Sequence, residues 1–177
     1  MSAKELRHRI REIPDFPKPG ILFYDITTLL KDGPAFKEAI DLMLEPYAGE
    51  KIDIVVGMES RGFIFSSPMA YQLGAGLVPV RKLGKLPAET ITVEYALEYG
   101  SNTLEIHRDA IQAGQKVLVV DDLLATGGTV RGTVKGTIEL VERLKGEVVG
   151  LAFLVELDFL KGRDRLDGRR VTSVIQY

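Results

Sequence analysis

Two adjacent acids, Asp121 and Asp122, follow the apolar run Lys116 to Val120 and precede Leu123, Leu124 and the small-residue stretch Ala125-Thr126-Gly127-Gly128-Thr129. The apolar run reads as a buried strand. The stripe Val130, Val134, Ile138 and Val141 reads as the helix after it. A helix N-terminus exposes unpaired N–H groups and a partial positive charge, both suited to phosphate. Gly127 and Gly128 let the backbone come close to an anion, and Thr126 and Thr129 add hydroxyl donors. The two aspartates cannot bind phosphate, but they can accept hydrogen bonds from sugar hydroxyls. Acids beside a phosphate cradle point to a phosphorylated sugar. The same spacing also fits a plain strand–turn–helix junction with a capped helix and two solvated aspartates.

Other residues carry weaker signals. Ser60, Arg61 and Gly62 follow the apolar run Ile52 to Gly57 and sit at a turn; Arg61 reads equally as a surface helix cap. Arg81, Lys82 and Lys85 lie in a Gly- and Pro-bearing stretch and by themselves read as a solvated charge run. Glu98 falls on the polar face of an alternating strand, where a lone carboxylate is ordinarily just exposed. Phe23, between Leu22 and Tyr24, reads as a buried aromatic anchoring the N-terminal segment. His8 and His107 lack ligand-like spacing. No G-x-x-x-x-G-K-[ST] occurs, and Gly74-Ala-Gly76 lacks the third glycine of a dinucleotide fingerprint.

The elements that must position these residues follow from periodicity. Residues 3–11 predict a short polar helix, broken by Pro14, Pro17, Pro19 and Gly20. Residues 35–47 and 61–73 predict helices. Leu77 to Val80, Val148 to Val155 and Val171 to Ile175 predict further strands. Ile91, Val93, Tyr95 and Leu97 alternate with polar residues, the period of a half-buried strand. Gly100, Ser101 and Asn102 then turn the chain toward a return strand at Leu104 and Ile106, a hairpin expected to stand off the core. Strands alternating with helices predict an α/β fold with an open, mainly parallel twisted sheet.

Composition narrows the classes. The chain has 177 residues, 45% hydrophobic and 27% charged, enough for one domain with a sizeable core. A net charge of −2 lacks the basic excess of a nucleic-acid binder. With no cysteine, disulfides, thiolate metal sites and cysteine nucleophiles are excluded. The charged start, Met1 to Arg11, has no apolar signal core, and no apolar run approaches a bilayer span. A soluble cytoplasmic protein, without nucleic-acid or membrane partners, is expected.

The phosphate-loop segment resembles that of type I phosphoribosyltransferases. Four more segments, Pro19-Gly-Ile-Leu-Phe-Tyr-Asp25, Glu59-Ser-Arg-Gly62, Arg81-Lys-Leu-Gly-Lys-Leu-Pro87 and Leu97-Glu-Tyr-Gly100, extend the resemblance over nearly the whole chain and make it specific to the family's adenine branch. The resemblance implies purine salvage: transfer of a 5-phosphoribosyl group from phosphoribosyl diphosphate to adenine, giving AMP and pyrophosphate. It implies a single domain over 1–177, with residues 1–34 as an arm and small N-terminal hood over the base and 81–106 as a protruding flexible β-hairpin loop.

It also implies roles. Asp121, Asp122, Ala125, Thr126, Gly127, Gly128, Thr129, Ser60, Arg61, Lys82 and Lys85 would bind phosphoribosyl diphosphate or AMP. Leu22, Phe23, Tyr24 and Leu123 would bind adenine, with Phe23 stacked on the ring and backbone groups of Leu22 and Tyr24 reading its edge. Glu98, Arg81 and Tyr99 would be catalytic, Glu98 acting near N7 of the base. Many relatives carry Arg at Tyr24, which leaves its side chain without an assigned role. Mg²⁺ would arrive on the substrate diphosphate, with no protein cage, and the protein would be a homodimer. The alternatives are a phosphoribosyltransferase for 6-oxopurines, which lacks its expected Lys here, and a ligand-sensing regulator, which lacks its nucleic-acid-binding element.

Overall fold

The computed structural model describes residues 1–97, 99–125 and 129–177, without the side chains of 129–131. Glu98, Thr126, Gly127 and Gly128, together with the Thr129 side chain, therefore lie outside the described residues.

The chain opens with α1 (Ala3–Arg7), where Ser2 and Glu5 form a reciprocal capping box. The helix expected over 3–11 ends early, because the next residues pair as strands: β1 (Arg11–Pro14) runs antiparallel to β2 (Leu22–Asp25). This hairpin was not expected from the sequence. Its strands are four residues each, too short for a period to register, and the prolines between them read only as a loop.

A short helix α2 (Thr27–Leu30) leads to α3 (Gly33–Leu44), capped by Asp32 accepting from the Ala35 N–H. Strand β3 (Ile54–Met58) then delivers α4 (Gly62–Leu73), and β4 (Gly76–Lys82) follows. β5 (Thr90–Ala96) and β6 (Ser101–His107) form the expected hairpin. Strand β7 (Lys116–Leu124) leads through a π-helical segment at Thr129–Val134 into α5 (Lys135–Arg143); β8 (Glu147–Glu156) and β9 (Val171–Gln176) complete the chain. The run expected over Lys116 to Val120 continues as strand to Leu124, so Asp121 and Asp122, expected at its carboxyl end, lie inside β7.

The seven-stranded sheet has the order β5-β6-β4-β3-β7-β8-β9. Strands β4, β3, β7, β8 and β9 are parallel to their neighbours, and the hairpin adds an antiparallel edge. Rather than standing off the core, the hairpin joins the sheet where Arg81 and Lys82 pair with Glu105 and Leu104. Its inner side chains Val93, Leu104 and Ile106 are buried against Val134, Ile138 and the second face of the sheet. The opposite face is covered by α1, α3 and α4, with Tyr47, Phe65 and Met69 fully buried. The core thus lies in two layers, one on each face of an apolar sheet.

Strand order reverses at β3, which has β4 on one side and β7 on the other. In open α/β sheets, ligands bind outside the carboxyl ends of strands flanking such a point. Those two strand ends carry Glu59-Ser60-Arg61 and Asp121-Asp122.

Candidate active site

A cleft of about 540 Å³ opens at this switch point, lined by Ser60, Arg61, Lys82, Asp121, Asp122 and Leu123 among others. The hairpin supplies its outer wall through Tyr95, Leu97 and Asn102, none of them anticipated from the sequence. Beside it lies a smaller, mainly apolar pocket of about 140 Å³. Leu22, Phe23 and Tyr24 of β2 line one side, and Leu123, Val155 and Leu157 from the ends of β7 and β8 line the other. Arg61, Asp122 and Leu123 border both spaces.

Local sequence explains the close approach at the back of the cleft. Gly62 opens α4 directly over β7, where a Cβ would lie 2.9 Å from Asp121 Oδ1 and 3.1 Å from the Val120 carbonyl. Only glycine lets this helix start sit against the acid. The preceding Glu59–Ser60 peptide is cis.

The two aspartates differ. Asp121 is buried, accepts the Asp122 N–H at 2.9 Å, and has its carboxyl pushed well above the usual carboxylate range, by burial first and by the neighbouring Asp122 charge second. Asp122 faces the cleft and pairs with Arg61 Nε at 2.7 Å. The Arg61 guanidinium also lies 5.8 Å from the centroid of the Phe23 ring, within cation–π range. Arg61 thus spans Asp122 and the aromatic wall of the smaller pocket.

The cationic segment at the end of β4 and just beyond it is organised by an acid that its sequence signal did not single out as a site residue. Glu59, mostly buried, accepts from Arg81 Nη2 at 3.0 Å, from the Lys82 N–H at 2.9 Å and from Lys85 Nζ. Burial works against its charge, but these donors outweigh it and hold the carboxyl down at about 2. Buried Glu105 accepts the Lys85 and Leu86 N–H groups at 2.9 and 2.8 Å. Arg81 and Lys85 are therefore held behind the cleft rather than lining it, whereas Lys82 lines it. Arg81 Nε is buried without a partner among the described residues.

Tyr99 is 88% exposed on the hairpin turn and lines neither space. Ala125 is half-buried against the first core layer. The structure thus brings together Ser60, Arg61, Lys82, Asp121 and Asp122 in one space and Leu22, Phe23, Tyr24 and Leu123 in the other. Val155 and Leu157 were missed because an apolar strand end carries the same letters whether it faces a pocket or the core. Glu59 was legible only as part of the Glu59-Ser-Arg-Gly62 segment.

Among the described residues no three His, Cys, Asp or Glu side chains converge as a metal set. The carboxylates lining the cleft are those of Glu59, which Arg81 and Lys85 already engage, and of Asp121 and Asp122, whose hard oxygens suit a cation held mainly by water and substrate oxygens.

Comparison with known proteins agrees with this geometry. A family model described as the phosphoribosyl transferase domain matches residues 27–175. The chain is 59% identical to the adenine phosphoribosyltransferase of Acidobacterium capsulatum, covering 100% of this chain and 96% of that one. It is equally 59% identical to that of Chloroflexus aurantiacus, with both chains covered in full. Among solved structures, the adenine phosphoribosyltransferase of Thermoanaerobacter pseudethanolicus superposes with a TM-score of 0.92 at 52% identity, covering 99% of this chain and 100% of that one. The Saccharomyces cerevisiae enzyme, solved with adenine and an imino-altritol bisphosphate, gives 0.89 at 41% identity over 98% of each chain. By its apolar pocket, its acid-lined cleft and these full-length likenesses, the chain belongs to the phosphoribosyltransferase family, in its adenine phosphoribosyltransferase branch.

Proposed function

We infer that this site performs the reaction for which its branch is named. It transfers the 5-phosphoribosyl group from phosphoribosyl diphosphate to adenine and releases AMP and pyrophosphate. One observation carries the reading: a narrow apolar pocket walled by Phe23 and Leu123 adjoins a polar cleft bearing Ser60, Arg61, Lys82, Asp121 and Asp122. A flat base fits the first space and a phosphorylated sugar the second, with their reacting atoms meeting at the shared border.

In the transfer, N9 of adenine forms a bond to C1 of the ribose while the bond from C1 to the diphosphate oxygen breaks. The electron pair leaves with pyrophosphate, and the N9 proton is lost. The residues act mainly by positioning and by stabilising charge. Asp122, freed from Arg61, accepts from ribose hydroxyls, with Asp121 beside it at the back of the cleft. Arg61 and Lys82 meet the diphosphate. The loop over 126–129 cradles the 5-phosphate, and Glu98 handles charge at N7; these residues are assigned by family resemblance alone. Lys85, in the segment between β4 and β5, exchanges Glu59 for the diphosphate, Arg81 meets it from the end of β4, and Tyr99 on the exposed hairpin turn covers the ribosyl site. Mg²⁺, carried by the diphosphate and held mainly by water and substrate oxygens, would supply positive charge to the leaving group, with no protein cage around it.

Base choice rests on backbone groups of Leu22 and Tyr24. Adenine offers a 6-amino donor and an N1 acceptor, and hypoxanthine reverses both, leaving buried groups unpaired at about 1–3 kcal/mol each. The same proposal includes a single domain with residues 1–34 as arm and hood, a cytoplasmic location, and a homodimer, for which light scattering is the direct measurement. The reaction itself is tested by incubating the protein with Mg²⁺, phosphoribosyl diphosphate and each purine base in turn. AMP from adenine is expected; formation of only IMP or GMP would overturn the assignment.

A further inference from the structure

The base-facing strand β2 belongs to a sheet of its own. Among the described residues it pairs only with β1, four residues against four, and makes no ladder with the seven-stranded sheet. A two-stranded hairpin is marginally stable alone, so the hood depends on side-chain anchors. One anchor is internal. Asp25 accepts from Arg11 Nη2 at 2.6 Å and from the Thr27 hydroxyl at 2.7 Å. The other comes from the far end of the chain. The Tyr24 ring packs on the Tyr177 ring with centroids 4.0 Å apart and planes 35° apart. Arg7 covers Tyr177, its guanidinium 4.1 Å from the ring centroid, and donates to the Gln176 carbonyl at 3.0 Å.

The Tyr177 backbone is in turn fixed to the opposite wall of the apolar pocket. Its N–H donates to the Glu156 carbonyl and its own carbonyl accepts the Asp158 N–H, each at 3.0 Å, and these two bonds flank pocket-lining Leu157. A continuous path therefore runs from one wall of the pocket, through Tyr177, to the other. It gives the Tyr24 side chain a task that leaves its backbone free to meet the base.

We propose that Tyr177 is a positioning residue for the base: by clamping Tyr24 it holds β2 at a fixed distance from Leu123, Val155 and Leu157, and so sets the width of the slot that takes the purine ring. Tyr177 does not line that pocket and lies apart from the phosphate cleft. Without the clamp the hood spends part of its time with the slot unformed, and apparent base affinity falls by that fraction. The proposal rests on the adenine reading above. An inactive wild type would defeat that reading, whereas the variants below test the clamp within an active enzyme.

The test compares steady-state constants for wild type, Tyr177→Ala and Tyr177→Phe, each verified as folded by circular dichroism. Tyr177→Ala should raise the KM for adenine roughly three- to tenfold, the scale of one aromatic pair. The KM for phosphoribosyl diphosphate should stay within about twofold of wild type. Tyr177→Phe keeps the stack and loses only a long 3.4 Å contact from its hydroxyl to the Arg7 carbonyl, so it should restore the wild-type adenine KM. An unchanged adenine KM in Tyr177→Ala, an equal rise in both KM values, or failure of Phe to rescue would each overturn the clamp. Should Tyr177→Ala not fold, Tyr177→Leu and Tyr24→Leu remove the stack while keeping apolar volume, and the same two KM values decide.

Discussion

The two halves of the site are built on opposite physical terms. The polar cleft is made of strand ends and helix starts of the central sheet, and its geometry is imposed from beneath by close packing and buried charge. The apolar pocket has one wall from that sheet and one from a four-residue strand outside it. The first is rigid because Gly62, Asp121 and Glu59 leave no slack; the second is only as rigid as the side chains that tether the hood. Arg61 and Asp122 border both, so their ion pair links the polar cleft to the apolar pocket. Their contrast with Glu59 is instructive. Asp121 is buried beside another acid and is pushed toward neutrality, while Glu59 is largely buried among cations and stays charged.

If the halves are separable, changes in one should spare the substrate of the other. Chemistry at their junction should respond most. Glu98→Gln, removing the acid assigned to N7, should lower kcat by roughly 10²–10⁴ with smaller changes in either KM. Wild-type turnover in that variant would leave the junction without its proton-handling group. Gly62→Ala forces a methyl against Asp121, an overpacking of roughly 1–3 kcal/mol. The expectation is a drop of about tenfold or more in kcat/KM for phosphoribosyl diphosphate, with adenine binding preserved. A matching loss of adenine affinity, read by calorimetry, would show that the halves are one rigid unit.

Phe23→Ala probes the other side. It should weaken adenine and hypoxanthine together by about 1–3 kcal/mol, by analogy with base–aromatic stacking, and leave the phosphoribosyl diphosphate KM in place. A change in the ratio between the two bases would mean that the ring reads identity rather than merely holding the plane.

The last expected effect is on stability rather than on either substrate. Glu59 has a folded pKa of about 2, below its ordinary value of 4.5, so its contribution is fully present above pH 4.5 and is lost as pH falls through about 2. Glu59→Gln should therefore cost roughly 1–3 kcal/mol in urea unfolding at pH 7, and the gap to wild type should narrow steadily from about pH 5 downward. A gap independent of pH would mean that Glu59 acts through shape rather than charge.

Much of this molecule was legible as letters. The apolar run that leads into Asp121-Asp122, the alternating hairpin strand and the helix after Arg61 each leave a local pattern in the order of residues, and local patterns survive in one dimension. The five segments placed the chain in its family without any coordinates. What tertiary structure decided are the meetings between distant residues. Glu59 became the partner of Arg81 and Lys85 because β3 and β4 are neighbours in the sheet. Val155 and Leu157 became a pocket wall because β8 ends beside β7. The pairing of β1 with β2, and of Tyr24 with Tyr177, joins segments too short or too far apart to leave a repeating pattern. Local periodicity is written in the order of residues, but burial, charge partners and pocket walls depend on which strand ends lie side by side.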